Sequence, residues 1–171
     1  PDFAVIRPNL RYYAEHNVTG MFLEGDNYQQ DGETSDLSEL RAYLLAKLLC
    51  DPFMSEETYL SHRRDFLLGY YGKNGEAVGE FVDIISEIAA AEGHFVGCFN
   101  NPKTLLPRDL FLEKLPEMEE LWNKAEAGAG SDSQKSHCER SRLSYTYLKL
   151  LYAFDSLAAD PATKSAVMEE N

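Results

Sequence analysis

The chain has 171 residues, 44% of them hydrophobic, and its 29 Asp and Glu against 16 Lys and Arg leave a formal net charge of -13. A chain of this length buries roughly 70% of the surface its unfolded form exposes, so one ordinary core forms without staples, and the composition is neither disordered nor collagen-like. The acidic balance argues against nucleic acid and against an anionic membrane surface as partners, because both need clustered cations.

Pro1-Asp2-Phe3 begins without Met and without a basic leader, as expected of an excised or processed piece. Val5, Ile6, Leu10 and Tyr13 recur at helical spacing and predict a helix over Phe3 to Asn17, despite Pro8. Val18 to Leu23 is a short, nearly continuous apolar run between polar stops and predicts a strand buried on both faces. A polar loop, Tyr28 to Thr34, follows. Leu37, Leu40, Leu44, Leu45, Leu48 and Leu49 then mark a helix from Asp36, with Asp36 and Glu39 as a capping pair and Asp51-Pro52 as its stop.

Ser55, Glu56 and Glu57 start a helix that runs to Tyr71 and ends at Gly72, and a third runs from about Gly75 to Glu92. His94 to Phe99 reads as a short strand or extended connector. Leu105 to Ala127 reads as helix interrupted at Pro116, and Ala127 to Asp132 as a helix–helix linker. The last long helix, Ser133 to about Leu157, carries a predicted core stripe of Leu143, Tyr147, Leu150, Leu151, Phe154 and Leu157.

Cys50, Cys98 and Cys138 are far apart and odd in number, which fits neither a zinc knuckle nor a disulfide framework, so all three read as small buried hydrophobes. Asn17-Val18-Thr19 matches a glycosylation sequon, a pattern that short sequences reach by chance. Glu76, Glu80, Asp83 and Glu87 share one helical face opposite Val78, Phe81, Val82 and Ile85. That placement reads as a solvated face rather than a cation site, with Lys135, Arg140, Arg142 and Lys149 as its expected neutralisers. A di-iron bundle needs Glu-x-x-His, and none of His16, His62, His94 and His137 follows a Glu by three. Phosphate-cradling and serine-nucleophile motifs are absent too. No metal and no cofactor is expected.

Glu24 stands where the predicted strand stops and Gly25 opens a polar loop with Asp26, Asn27 and Tyr28. In parallel β/α architectures the carboxyl end of a strand gathers substrate-binding side chains, and carboxylates, amides and aromatic faces suit sugars. An ordinary acidic turn is the plainer reading of the same residues.

Three stretches resemble a known family. Tyr12 to Gly25 is similar to its "YA-x-x-G-V-x-G-x-F-x-E/Q-G" segment, Leu40 to Pro52 to its "LRAYLLAKLLWDP" segment, and Phe66 to Gly72 to its "F-L-x-x-Y-Y-G" segment, with Cys50 where the family has Trp. The family is a domain of unknown function in bacterial glycan-degrading proteins, related to α-glucuronidase-like barrels and including endo-β-N-acetylglucosaminidases.

The resemblance implies that Val18 to Leu23 is the last strand of a (β/α)8 barrel and the Asp36 to Cys50 helix its closing helix. The expected fold is then mainly α, an antiparallel helical assembly with one or two short strands, with 1–53 as the last β/α unit and 54–171 as a carboxyl-terminal helical domain. The expected function is that of the carboxyl-terminal part of a bacterial glycoside hydrolase acting on complex glycans. Its partners would be the barrel of the same polypeptide and, through that parent enzyme, a glycan; a parent that is secreted, periplasmic or cell-surface fits. Glu24, Asp26, Asn27 and Tyr28 would line the sugar site. Glycoside hydrolysis needs an acid and a nucleophile or stabiliser roughly 5 to 10 Å apart, or one carboxylate assisting a substrate acetamide, and barrels recruit such groups from several strands, so this chain is expected to have no catalytic residues of its own and to be silent alone. The competing expectation is a free-standing helical protein-interaction domain. The two differ in whether Gly20, Met21 and Phe22 face a missing neighbour or the chain's own helices.

Overall fold

A computed structural model describes residues 3–23, 37–91 and 106–157, with side chains to residue 152. Among the described residues the chain is mainly helical and has six helices: α1 (Phe3–Glu15), α2 (Ser38–Cys50), α3 (Glu56–Tyr71), α4 (Glu76–Ala90), α5 (Arg108–Gly128) and α6 (Asp132–Leu157). His94 to Phe99, Cys98 and the tail beyond Leu157 lie outside them.

Helix ends follow local chemistry. Asn17, at φ 63°, closes α1 in the left-handed region while the Val18 N–H reaches back to the Tyr13 carbonyl at 3.0 Å, the six-to-one bond of a Schellman turn. Ser55 caps α3 by accepting from the Thr58 N–H at 3.1 Å. Gly72 ends the same helix at φ 96°, and a Cβ there would lie 2.6 Å from the Gly128 carbonyl oxygen, so backbone angle and close approach both demand glycine. At α2 the expected Asp36 cap lies outside the described residues. Leu37, at φ 51°, precedes this helix without any side-chain cap bond, and Glu39 turns instead to Arg140 on α6 at 3.1 Å.

Packing centres on α3 and α4. Helix α3 touches α2, α4, α5 and α6, while α4 lies against α1, α3 and α5. Ala77, Val78, Phe81, Val82, Ile84, Ile85 and Ile88 of α4 are buried, leaving little but the acidic stripe outside. Phe81 meets the Trp122 ring of α5 at 5.1 Å and the Tyr145 ring of α6 edge-on at 5.9 Å.

Four expectations are corrected. Residues 18–23 form no strand, and no strand is present among the described residues; a strand forms only where a neighbour pairs its backbone. Helix α5 runs unbroken through Pro116. Loss of one ladder bond there costs about 3 kcal/mol, which burial of Phe111, Met118, Leu121 and Trp122 on the same helix outweighs. Helix α6 buries Cys138, Ser141, Tyr145 and Tyr152, whereas Leu143 and Tyr147 of the expected stripe are 65% and 54% exposed. The reason is polar: the Tyr145 hydroxyl donates to Glu119 at 2.6 Å, the Tyr152 hydroxyl to the Leu106 carbonyl at 3.1 Å, and Ser141 meets the Tyr71 hydroxyl at 2.9 Å. Finally, Cys50 is exposed. Cys138 is buried, and burial, then Glu126 and Glu139, push its thiol up to about 11.

Candidate functional site

The expected sugar-contacting residues Glu24, Asp26, Asn27 and Tyr28 all lie outside the described residues. The run that leads to them is described. Val18, Met21 and Leu23 are exposed, and Phe22 is 89% exposed. Tyr12 and Tyr13 on α1, and Leu49 and Phe53 around the end of α2, are exposed as well. Gly20 and Met21 border a cleft of about 110 Å³ that is completed by Leu10, Tyr13 and Leu48, so one side of the segment meets the chain's own helices while Phe22 stands in solvent.

Three carboxylates of the acidic face of α4 are paired with cations of the chain. Asp83 pairs with Arg63 at 2.8 Å, Glu76 with Arg64 at 3.0 Å and Glu80 with Lys124 at 3.8 Å. These cations come from α3 and α5, not from α6 as the sequence led one to expect. The α6 cations are engaged elsewhere: Arg142 with Glu119 and Glu126, Lys149 with Glu119 at 2.8 Å, Lys135 with Asp132 at 3.9 Å. No cluster of three or more potential metal ligands occurs among the described residues.

A groove of about 380 Å³ opens between α2, α3 and the start of α6. Its wall is a ladder of rings. Tyr43 of α2 lies 5.2 Å from Phe66 of α3, Phe66 stacks on Tyr70 one turn later at 4.9 Å, and Tyr70 stacks on the His137 imidazole of α6 at 3.7 Å and 3°. The i, i+4 spacing of Phe66 and Tyr70 makes their contact legible in the sequence. His137 is 67 residues from Tyr70, and nothing local signals its place.

Hydrogen bonds lock the ladder. The Tyr70 carbonyl can only accept, so His137 donates from Nδ1 at 2.9 Å, and its Nε2 lies 3.4 Å from the Ser133 hydroxyl. Arg140 donates to the Tyr70 hydroxyl oxygen at 2.9 Å and to Glu39 at 3.1 Å. Burial first, and then the Glu39 carboxylate, push the Tyr70 hydroxyl above its usual range, so it stays protonated at neutral pH. Gln134 spans the gap, donating to the Gly69 carbonyl at 3.1 Å and accepting from the Gly130 N–H at 2.8 Å. The remaining polar lining is the Asp65 carboxylate and the Ser131 hydroxyl.

Residues 1–83 match the family described as Domain of unknown function (DUF4838). No curated protein and no solved structure matches the chain. The matched segment spans α1, α2, α3 and the first half of α4, and contains all three stretches on which the sequence resemblance rests. It also contains Tyr43, Asp65, Phe66, Gly69 and Tyr70, whereas Ser131, Ser133, Gln134 and His137 lie beyond it. No described helix is long and apolar enough to cross a membrane.

Proposed function

We propose that this chain is the carboxyl-terminal, helical portion of a glycoside hydrolase acting on complex glycans, docked on a (β/α)8 barrel and catalytically silent by itself. The observation that carries the reading is the exposed apolar run Val18 to Leu23, which includes an almost fully exposed Phe22 and shares a cleft with the exposed Tyr13 and Leu49. Single exposed apolar residues are ordinary, but a run of them with no strand beside it among the described residues suits a surface that another element covers. A barrel strand would supply both ladder hydrogen bonds and the apolar cover. In that setting Glu24, Asp26, Asn27 and Tyr28 follow the strand at its carboxyl end and line the sugar cleft.

The reading frame ahead of the Pro1 codon is the test. Repeated β/α units there are the expected result, and a frame without them overturns the barrel. The purified chain should also leave aryl glycosides and N-glycans intact, because barrel enzymes assemble their catalytic groups from the ends of several strands. Turnover that disappears in Glu24→Gln would show that the chain is an enzyme in its own right.

A further inference from the structure

The groove between α2, α3 and α6 contains a residue that the protein's own packing does not explain. Gly69 sits in the last turn of α3, three residues before the capping Gly72, and is exposed. A glycine within a helix costs about 0.5–1 kcal/mol relative to alanine. The usual compensation is close packing, yet a Cβ at Gly69 would meet nothing within 4 Å. Gly79 on α4 shows the contrast, since its Cβ would lie 2.8 Å from the Leu67 side chain. Nor does the bond from Gln134 require glycine, because it ends on the Gly69 carbonyl, which any residue offers. Gly69 shares its helical face with Asp65 and Phe66 and keeps the groove floor at backbone level.

The lining chemistry limits what fills that space. No Lys or Arg lines the groove: the cations that adjoin its wall are engaged there, Arg140 with the Tyr70 hydroxyl and Glu39 and Lys47 over the Tyr43 ring, and the Asp65 carboxylate repels a phosphate or carboxylate ligand. The wall of Tyr43 and Phe66 is apolar, and the polar groups are hydrogen-bonding ones. Asp65 can accept from two neighbouring hydroxyls, and the Ser131 hydroxyl can donate. A molecule with one C–H face and a ring of hydroxyls satisfies both sides together. We propose that this groove binds a neutral sugar ring, with its C–H face against Tyr43 and Phe66, its hydroxyls on Asp65 and Ser131, and Gly69 left bare to admit it. The choice of a sugar rests in part on the glycan reading above; the groove and its bare glycine do not.

The test is amide chemical-shift mapping of the full chain with cellobiose, mannobiose and N,N′-diacetylchitobiose. At least one should shift the groove amides, with a Kd of about 1 mM as expected of a shallow single-ring site. Gly69→Ala should weaken that binding at least about tenfold while its melting temperature stays level or rises. Asp65→Asn, at an exposed position, should weaken it as well without unfolding. The proposal is overturned if none of the three sugars shifts the groove, if Gly69→Ala binds as tightly as the parent chain, if Gly69→Ala melts lower, or if choline shifts the groove and the sugars do not. Sugar binding without a barrel in the reading frame would sink only the proposed function, and a barrel without sugar binding would sink only this inference.

Discussion

Between α5 and α6, polar side chains that leave solvent meet partners: Glu119 receives Arg142, Lys149 and the Tyr145 hydroxyl, and Glu126 receives Arg142. At the end of α1 the opposite holds, with Val18, Met21, Phe22 and Leu23 exposed and no strand beside them among the described residues. The difference is one of completeness. The α5–α6 layer pairs its buried charges with residues of this chain, leaving only the Trp122 indole N–H among its buried side-chain polar atoms without a partner among the described residues, whereas the α1 edge leaves apolar surface in water, where each 100 Å² costs about 2.5 kcal/mol relative to burial. The edge lies within the segment that matches the family model, and the α5–α6 layer lies outside it.

Substitutions should separate the two regions. Phe81→Ala removes the ring that joins α4 to Trp122 and Tyr145, and should cost about 3–5 kcal/mol in a denaturant titration. A loss no larger than that of a surface change would mean that the core does not centre on α4.

Glu119→Gln should come next, at about 1–2 kcal/mol, discounted because the carboxylate is partly exposed. Its pH dependence is specific. Burial acts to raise the Glu119 carboxyl, but the bonds from Lys149 and Tyr145 outweigh it and hold the group below its ordinary value of 4.5. A carboxyl lowered in the folded state contributes stability that is present above the unfolded value and lost as the pH falls through the folded one. The parent chain should therefore lose more stability than Glu119→Gln on acidification below pH 4.5. Parallel curves for the two proteins would show that the network adds nothing. The smallest effect belongs to Phe22→Ser, within about 0.5 kcal/mol, since so exposed a ring has little packing to lose. A loss comparable to that of Phe81→Ala would mean that Phe22 is buried, and the contrast between the regions would collapse.

Much of the helical framework was legible. The restart at Ser55, the stops at Asp51 and Gly72, and the apolar stripe of α4 are local signals, and each matches the structure. The candidate groove was legible only in its Phe66–Tyr70 step. Its other wall comes from Tyr43 and from His137, which lie on different helices, and a lone histidine in a polar stretch carries no sign of the ring it will stack on. Glu24 and its neighbours lie outside the described residues.

By itself the sequence determined where helices begin and end, since caps, glycine turns and 3.6-residue periodicity act within a few residues of one another. Only the tertiary structure decided which face of α6 is buried, because the spacing of apolar and aromatic residues selects Leu143 and Tyr147 while the hydrogen-bond partners of Tyr145 and Tyr152 select the other side. It also decided which cations answer the acidic face of α4, and that Pro116 rides inside a continuous helix. These outcomes depend on groups tens of residues away, and their energies, a few kcal/mol each, override local preference.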